Sequence, residues 1–145
     1  MTMRIERINN GIVMDHIKAG MGIEILKLFP TELLKTKIDY ASYVDSPSHG
    51  MKDIIKIENL DVDPTMLMKM ALLAPKITIS IIRDGHVEKK EQPEVPPLVE
   101  GVINCPNPKC VTGKETYLIS RFNVTFQEDG KLRQQCLFCE HIIHS

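Results

Sequence analysis

The sequence has no tryptophan, few aromatic residues and no cysteine before Cys105. It also lacks an apolar run of the roughly 18 residues that a membrane-spanning helix needs, and no secretory signal precedes its first charged residues. A cytoplasmic protein without membrane contact is therefore expected. The formal net charge of −1 provides no general attraction to nucleic acid. The composition, with 43% hydrophobic and 26% charged residues, is that of a globular protein.

Motifs of catalytic sites are missing as well. The chain has no serine or cysteine nucleophile motif, no Walker loop and no acid pair within a recognisable catalytic frame. Gly20-Met-Gly22 lies between a predicted strand and a predicted helix, as in a dinucleotide-binding fingerprint. Its third glycine position holds Ile25, however, and no parallel βαβ pattern surrounds it. The sequence predicts a protein that is not an enzyme.

All four cysteines lie in the last third of the chain, in two close pairs. Cys105-Pro-Asn-Pro-Lys-Cys110 is followed by 25 residues and then by Cys136-Leu-Phe-Cys139. Two such turns can direct four thiolates at one point, which predicts a tetrahedral zinc site. Because four thiolates leave no coordination position open to water, the predicted zinc is structural.

Other chemistry is open to these cysteines. They could form two disulfides, His141 or His144 could replace one ligand, and Cys136-x-x-Cys139 could be a redox pair. The absence of an export signal disfavours disulfides, and the second cysteine pair disfavours a redox role. Zinc is the interpretation that the spacing favours.

A proline-rich stretch divides the chain. Glu91–Pro97 contains three prolines, which favour an extended linker. We expect a first domain over residues 1–92, a linker over 93–97 and a second domain over 98–145. The second domain is so short that bound metal would have to supply part of its stability.

Hydrophobic patterning predicts an α+β fold for the first domain. A helix is expected over residues 22–29, and another is capped at Asp63-Pro64 and ended by Pro75. The order β-β-α-β-β-α-β-β favours an antiparallel, ferredoxin-like sheet with both helices on one face. The second domain should be a small β zinc ribbon with strands over residues 117–126 and 131–137. The strands predicted in the first domain span residues 3–8, 12–17, 38–44, 51–58, 76–83 and 86–90.

One strand of the first domain could bind an anion. Lys52, Ile54 and Lys56 share a strand face, and the two lysines lie roughly 13–14 Å apart along it. Their side chains could converge on a ligand of the size of a nucleoside triphosphate. Asp15 and His16 could likewise meet ribose and phosphate. The alternative for both groups is a solvated polar surface.

Several of these pieces together resemble the regulatory chain of aspartate carbamoyltransferase. They are Val13-Met-Asp-His-Ile17, Lys52-Asp-Ile-Ile-Lys-Ile-Glu-Asn59, Ala74-Pro75 before a strand, and the two cysteine pairs. The resemblance implies a non-catalytic chain whose first domain binds CTP and ATP as competing effectors, in some members also UTP. It leaves open whether Mg²⁺ accompanies the nucleotide.

The resemblance also implies partners. The first domain would pair with a second copy through its sheet, and the zinc domain would dock on the catalytic chain. Two catalytic trimers and three regulatory dimers would form one assembly that controls pyrimidine biosynthesis. Ser80 and Gly85 depart from residues that some relatives carry beside the base. The implied nucleotide-contacting residues are Ile5, Glu6, Ile8, Val13, Asp15, His16, Lys52, Lys56, Thr78, Ser80, Ile82, Val87 and Lys90.

The main rival hypothesis is a zinc-ribbon module that binds nucleic acid. Such a ribbon should be basic, but residues 101–145 carry five lysines and arginines against four acids. A second rival, a small nucleotide-processing enzyme with structural zinc, lacks a candidate nucleophile. Both are weaker interpretations than a regulatory chain.

Overall fold

The computed structural model describes residues 8–47, 50–129 and 131–144. These residues form two compact units, one that ends at Pro93 and one that begins at Glu94. None of the helices in the described ranges is long and apolar enough to span a membrane. Of the strand predicted over residues 3–8, only Ile8 is described, and it lies outside any strand.

The first unit is a five-stranded antiparallel sheet with the strand order β2-β3-β1-β4-β5. Two helices and a 3₁₀ turn complete a β-α-β-β-α-β order that β5 extends by one strand. This is the predicted ferredoxin-like α+β fold. The elements are β1 (Gly11–Lys18), α1 (Gly22–Leu26), the 3₁₀ turn (Thr31–Leu34), β2 (Ile38–Ser46), β3 (Gly50–Glu58), α2 (Pro64–Leu73), β4 (Thr78–Arg83) and β5 (His86–Glu91).

The two helices differ in how closely they follow the prediction. α2 begins as expected, because the Asp63 carboxylate accepts a 2.8 Å hydrogen bond from Met66 N and Pro64 occupies the first turn. α1 was expected to reach Phe29 but ends at Leu26. The backbone then tightens to hydrogen bonds three residues apart ahead of Pro30, which disfavours helical backbone in the residue before it.

The two faces of the sheet have different roles. Ile12, Met14, Ile55 and Ile79 are fully buried and form one apolar cluster with Met70 of α2. Because side chains alternate along a strand, their neighbours in sequence lie on the opposite face, which the helices do not cover. We call this second face the open face.

The second unit is a four-stranded antiparallel sheet with the order β6-β7-β8-β9. Its core contains Val99, Phe122, Val124 and Leu132. The strand expected from Tyr117 begins only at Arg121, since the preceding residues form a turn and Ser120 O accepts a hydrogen bond from Gly101 N. The elements are β6 (Leu98–Glu100), α3 (Val111–Lys114), β7 (Arg121–Phe126), β8 (Leu132–Cys136) and β9 (Ile142–His144).

Two irregularities of the first sheet meet at one position on β3. The pairing of β1 with β3 shifts between Met14 and Ile17, and that of β2 with β3 shifts between Ala41 and Val44. Each shift contains a residue with left-handed backbone: His16 with φ 56° and Tyr43 with φ 59°. Both are β-bulges, which bend a strand and redirect side chains.

The buried residue beside both bulges is Asp53, whose side chain is fully inaccessible. Its carboxylate points to the helical side and is surrounded by hydrogen-bond donors. Such saturation makes a buried carboxylate tolerable without a cation. Oδ1 accepts from Tyr43 N (2.9 Å) and Ser42 Oγ (3.2 Å), and Oδ2 accepts from Tyr40 Oη (2.8 Å), Gly22 N (3.0 Å) and Gly20 N (3.1 Å).

These contacts determine the pKa of the carboxyl group. Burial acts to raise the pKa of Asp53, but the hydrogen bonds from Tyr43, Tyr40 and the two glycine amides outweigh it. The pKa therefore lies below its ordinary value of 3.8. The charged carboxylate is the form that the fold stabilises.

We predict that Asp53→Asn destabilises the first unit by about 2–4 kcal/mol at pH 7, because the amide loses charge and places an NH₂ group among donors. Urea unfolding monitored on this unit measures the effect. Asp45→Asn, which alters an exposed carboxylate on β2, is the matched control and should change stability by less than about 0.5 kcal/mol.

The difference in stability between the wild type and Asp53→Asn should also depend on pH. Because the folded-state pKa is depressed, the stabilisation is fully present above the unfolded-state pKa of about 3.8 and is lost as the pH falls through the folded-state pKa. The wild type should therefore approach Asp53→Asn in stability on acidification below pH 4. A gap between the two proteins that stays constant down to acid unfolding would contradict the role of the charge.

Candidate functional site

The four cysteines of the second unit converge on one point. All four Sγ atoms lie within 4.8 Å of one another. Cys105 Sγ and Cys139 Sγ are 3.5 Å apart, and Cys110 Sγ and Cys136 Sγ are 3.8 Å apart. Zinc–sulfur bonds of about 2.3 Å in a tetrahedron separate the sulfur atoms by about 3.8 Å, whereas a disulfide would require about 2.05 Å. The cluster fits a four-thiolate metal site.

Local backbone contacts form the two turns that carry these thiols. In the first turn, Asn107 accepts hydrogen bonds from Lys109 N and Cys110 N, both of 3.0 Å. In the second, Glu140 N donates to Cys136 O at 2.9 Å, and Glu140 has left-handed backbone with φ 65°. Each turn thus holds its two cysteines on the same side.

The thiols have different acidities before any metal is considered. Burial raises the pKa of Cys105 to about 12, whereas the side chain of Asn107 and the backbone N–H of His141 lower the pKa of Cys139 to about 6. A divalent cation binds the thiolate form, so metal binding releases protons and strengthens as the pH rises. His141 and His144 are exposed, and the group of close ligand atoms found in the described ranges contains cysteines alone.

A second group of predicted site residues lies on the open face of the first unit. The strand register pairs Lys56 with Val13, Val13 with Ser80 and Ser80 with Lys90. These residues form one row across β3, β1, β4 and β5, and direct cross-strand partners have Cβ atoms about 4.5–5.5 Å apart. Asp39 of β2 continues the row beside Lys56 and was missed by the sequence analysis. No local pattern could have indicated it, since the pairing of β2 with β3 must be known first.

Further along the same face, four polar residues contact one another in pairs. Lys52 Nζ lies 3.0 Å from Asp15 Oδ1, and His16 Nδ1 shares a 3.0 Å hydrogen bond with Thr78 Oγ1. Burial acts to raise the pKa of Asp15, but the contacts with Lys52 and His16 outweigh it and lower the pKa overall. The β1 bulge places Asp15 and His16 here together.

The remaining predicted residues flank this group or lie outside the described ranges. Ile82 pairs with Gly11 of β1 and with Val87 of β5, and so extends the row of Ser80 by one step. Ile82 and Ile8 are buried, whereas Val87 is exposed. Ile5 and Glu6 lie outside the described residues.

The fold and the cysteine cluster define a two-unit protein in which an α+β domain precedes a small β metal-binding domain. Residues 3–94 match the family of the aspartate carbamoyltransferase regulatory chain, allosteric domain, and residues 97–145 match the metal binding domain of the same chain. The chain belongs to the aspartate carbamoyltransferase regulatory chain family. It is therefore a regulatory chain and not an enzyme.

Individual relatives agree along almost the entire chain, and each is named an aspartate carbamoyltransferase regulatory chain. The relative from Aeromonas hydrophila is 40% identical over 138 residues, which cover 95% of this chain and 88% of the relative. The one from Methanosarcina barkeri is 36% identical over 142 residues, which cover 97% of this chain and 90% of the relative. The one from Methanocaldococcus jannaschii is 35% identical over 144 residues, which cover 98% of this chain and 93% of the relative.

We predict that the purified chain contains one tightly held metal ion and that Cys110→Ser loses it. A hydroxyl replaces a buried thiolate ligand in this variant, so the second unit should lose protection from proteolysis. Elemental analysis and limited proteolysis measure both effects. Metal content should fall on acidification as the thiolates become protonated.

His144→Ala is the control for this experiment, since it removes an exposed side chain close to the cluster in sequence. It should keep its metal. Full metal content in Cys110→Ser, or metal loss in His144→Ala, would contradict the four-thiolate assignment.

Proposed function

We propose that the first unit binds CTP and ATP, and UTP as a third candidate, as competing allosteric effectors on the open face of its sheet. The observation that carries this proposal is that Lys52, Lys56 and Lys90 lie on that face together with Asp15 and His16. The match of this unit to a domain described as allosteric supports the same assignment.

The dimensions of the face suit a nucleotide. Lys52 and Lys56 are separated by four residues along β3, about 13 Å, and Lys56 and Lys90 are separated by three strand spacings, about 14 Å. Flexible lysine side chains can reach one triphosphate from these positions. The Asp15 carboxylate is paired with Lys52, so a phosphate group would have to compete with this carboxylate for the ammonium group.

Other residues of the site would contact the sugar and the base. Asp15 and His16 offer groups for ribose hydroxyls and phosphate. Apolar and small polar side chains provide a surface for the base, with Ser80 beside it as a determinant of the preference for CTP or ATP. This surface comprises Ile8, Val13, Thr78, Ser80, Ile82 and Val87, and the resemblance adds Ile5 and Glu6 as expected nucleotide contacts.

The second unit is proposed to dock on the catalytic chain of aspartate carbamoyltransferase. Large apolar side chains are exposed close to both cysteine pairs, which is typical of a surface that another protein covers. A near-neutral charge does not favour the rival nucleic-acid hypothesis. The exposed side chains are Val111, Tyr117, Ile119, Leu137 and Phe138.

Regulation would follow from thermodynamic linkage between nucleotide binding to the first unit and the quaternary state of the assembly with the catalytic chains. Two first units would pair through their sheets, and three such dimers would join two catalytic trimers. A nucleotide changes the activity of this assembly only if it binds two quaternary states with different affinity. Couplings of this kind are typically about 1–3 kcal/mol. In this way the chain would control pyrimidine biosynthesis.

We predict that Lys56→Ala weakens CTP binding about tenfold or more, because a charge-assisted hydrogen bond contributes about 1.5–3 kcal/mol. Isothermal titration calorimetry of the full chain, with and without Mg²⁺, measures the affinity. Lys69→Ala is the matched control, since Lys69 belongs to α2 on the other side of the sheet. Equal affinities of wild type and Lys56→Ala would sink the proposed phosphate contact.

We also predict that the chain forms a stable complex with an aspartate carbamoyltransferase catalytic trimer only while its metal is bound. Sedimentation measures assembly before and after treatment with a chelator, and enzyme assays measure the response to CTP. Readdition of Zn²⁺ should restore both. Assembly that ignores metal removal would exclude docking through the second unit.

A further inference from the structure

Asp53 lies on β3, which carries Lys52 on the open face, and it is hydrogen-bonded to β2 at one edge of the first sheet. Side chains alternate along β3, so Lys52 and Ile54 face the open side while Asp53 between them faces the helices. Asp53 itself cannot touch a ligand on the open face. Whatever it contributes to ligand binding must pass through the backbone of β3 to its neighbours.

Three segments are tied together at its carboxylate. Gly20 donates from the turn after β1 and Gly22 from the start of α1, while Tyr40 and Ser42 donate from β2. The packing at this point is close: a Cβ atom on Gly22 would lie 2.2 Å from the Tyr40 ring. The Tyr40 hydroxyl is therefore held against the carboxylate from one side by the turn and from the other by β3.

The register on both sides of β3 depends on the same point. After the bulges, pairing resumes at Ile17 with Asp53 on β1 and at Val44 with Lys52 on β2. Tyr43 N, which lies in the β2 bulge, donates to Asp53 Oδ1. A change in the donors around Asp53 would therefore be felt where β2 and β1 pair with β3 next to Lys52.

Lys52 is sensitive to such a change. Its side chain is only 15% exposed, and its ammonium group is held 3.0 Å from Asp15, which belongs to the β1 bulge. A side chain confined in this way takes its direction from the backbone beneath it. Small shifts of β3 against β1 would move the ammonium group relative to a bound phosphate.

We propose that Asp53 is a positioning residue for effector binding: together with the hydroxyl donors of Tyr40 and Ser42, it holds β2 and β3 so that Lys52 meets the nucleotide. The inference rests on the proposed nucleotide site and adds to it a determinant on the opposite side of the sheet. In this proposal β2, an edge strand, affects the affinity for nucleotides although its hydroxyl groups do not touch them.

Tyr40→Phe and Ser42→Ala test this inference, because each removes one hydroxyl donor and keeps the carboxylate. Both should weaken CTP binding about two- to tenfold, because part of the free energy of one hydrogen bond to the charged carboxylate is lost in positioning Lys52. Titration calorimetry is run at a temperature at which circular dichroism shows every variant to be folded. Tyr43→Phe is the matched control, since its exposed side chain leaves the backbone N–H bond to Asp53 intact.

A double-mutant cycle separates positioning of Lys52 from general loosening of the fold. In the Lys52→Ala background, Tyr40→Phe should cause no further loss of affinity, because the side chain that it positions is absent. An equal loss in both backgrounds would overturn the inference, as would unchanged affinity in Tyr40→Phe. Absence of CTP binding by the wild type would overturn the proposed function as well, so the two failures are distinguishable.

Discussion

The first unit depends on a single buried carboxylate whose charge is stabilised by hydrogen-bond donors and not by a cation. Asp53 accepts from backbone amides of two neighbouring segments and from two hydroxyls, and its side chain is fully buried. Losing one donor would leave the buried charge with fewer hydrogen bonds in a site that water does not reach, which costs free energy. The bulges of β1 and β2 are therefore not defects. They supply the left-handed turns that bring donors to this carboxylate and Asp15 and His16 to the open face.

The second unit depends on a different interaction for its stability. Its core contains few large residues, among them Val99, Phe122 and Leu132, which is little for an independent fold. The thiol cluster brings the turn at Cys105 and Cys110 next to the end of β8, and a bound metal would hold these two segments together. One unit is thus organised by a carboxylate among donors, and the other by thiolates around a metal.

Much of this could be predicted from local patterns. Cysteine spacing indicated the metal cluster, and the period of two along β3 indicated that Lys52 and Lys56 share a face. The Asp63-Pro64 cap marked the start of α2. These predictions succeed because each depends on residues close in sequence.

The features that escaped prediction depend on pairing between distant strands. Asp39 joins the row of Lys56 only through the register of β2, and the bulges at His16 and Tyr43 place non-glycine residues in left-handed backbone. Nothing in either local sequence signals such a conformation, because distant donors and acceptors stabilise it. Asp53 likewise reads as an ordinary polar strand residue until its partners are known.

The thiol cluster also changes the electrical character of the second unit. Counted by lysine, arginine and acidic side chains alone, residues 94–145 have five basic groups against six acids, a formal charge of −1. Four thiolates around one divalent cation carry a combined charge of about −2. Loading the cluster therefore makes the unit's formal charge more negative, from −1 to about −3. A protein surface that receives the metal-bound form should present positive groups, and it should discriminate against the metal-free chain by charge as well as by shape.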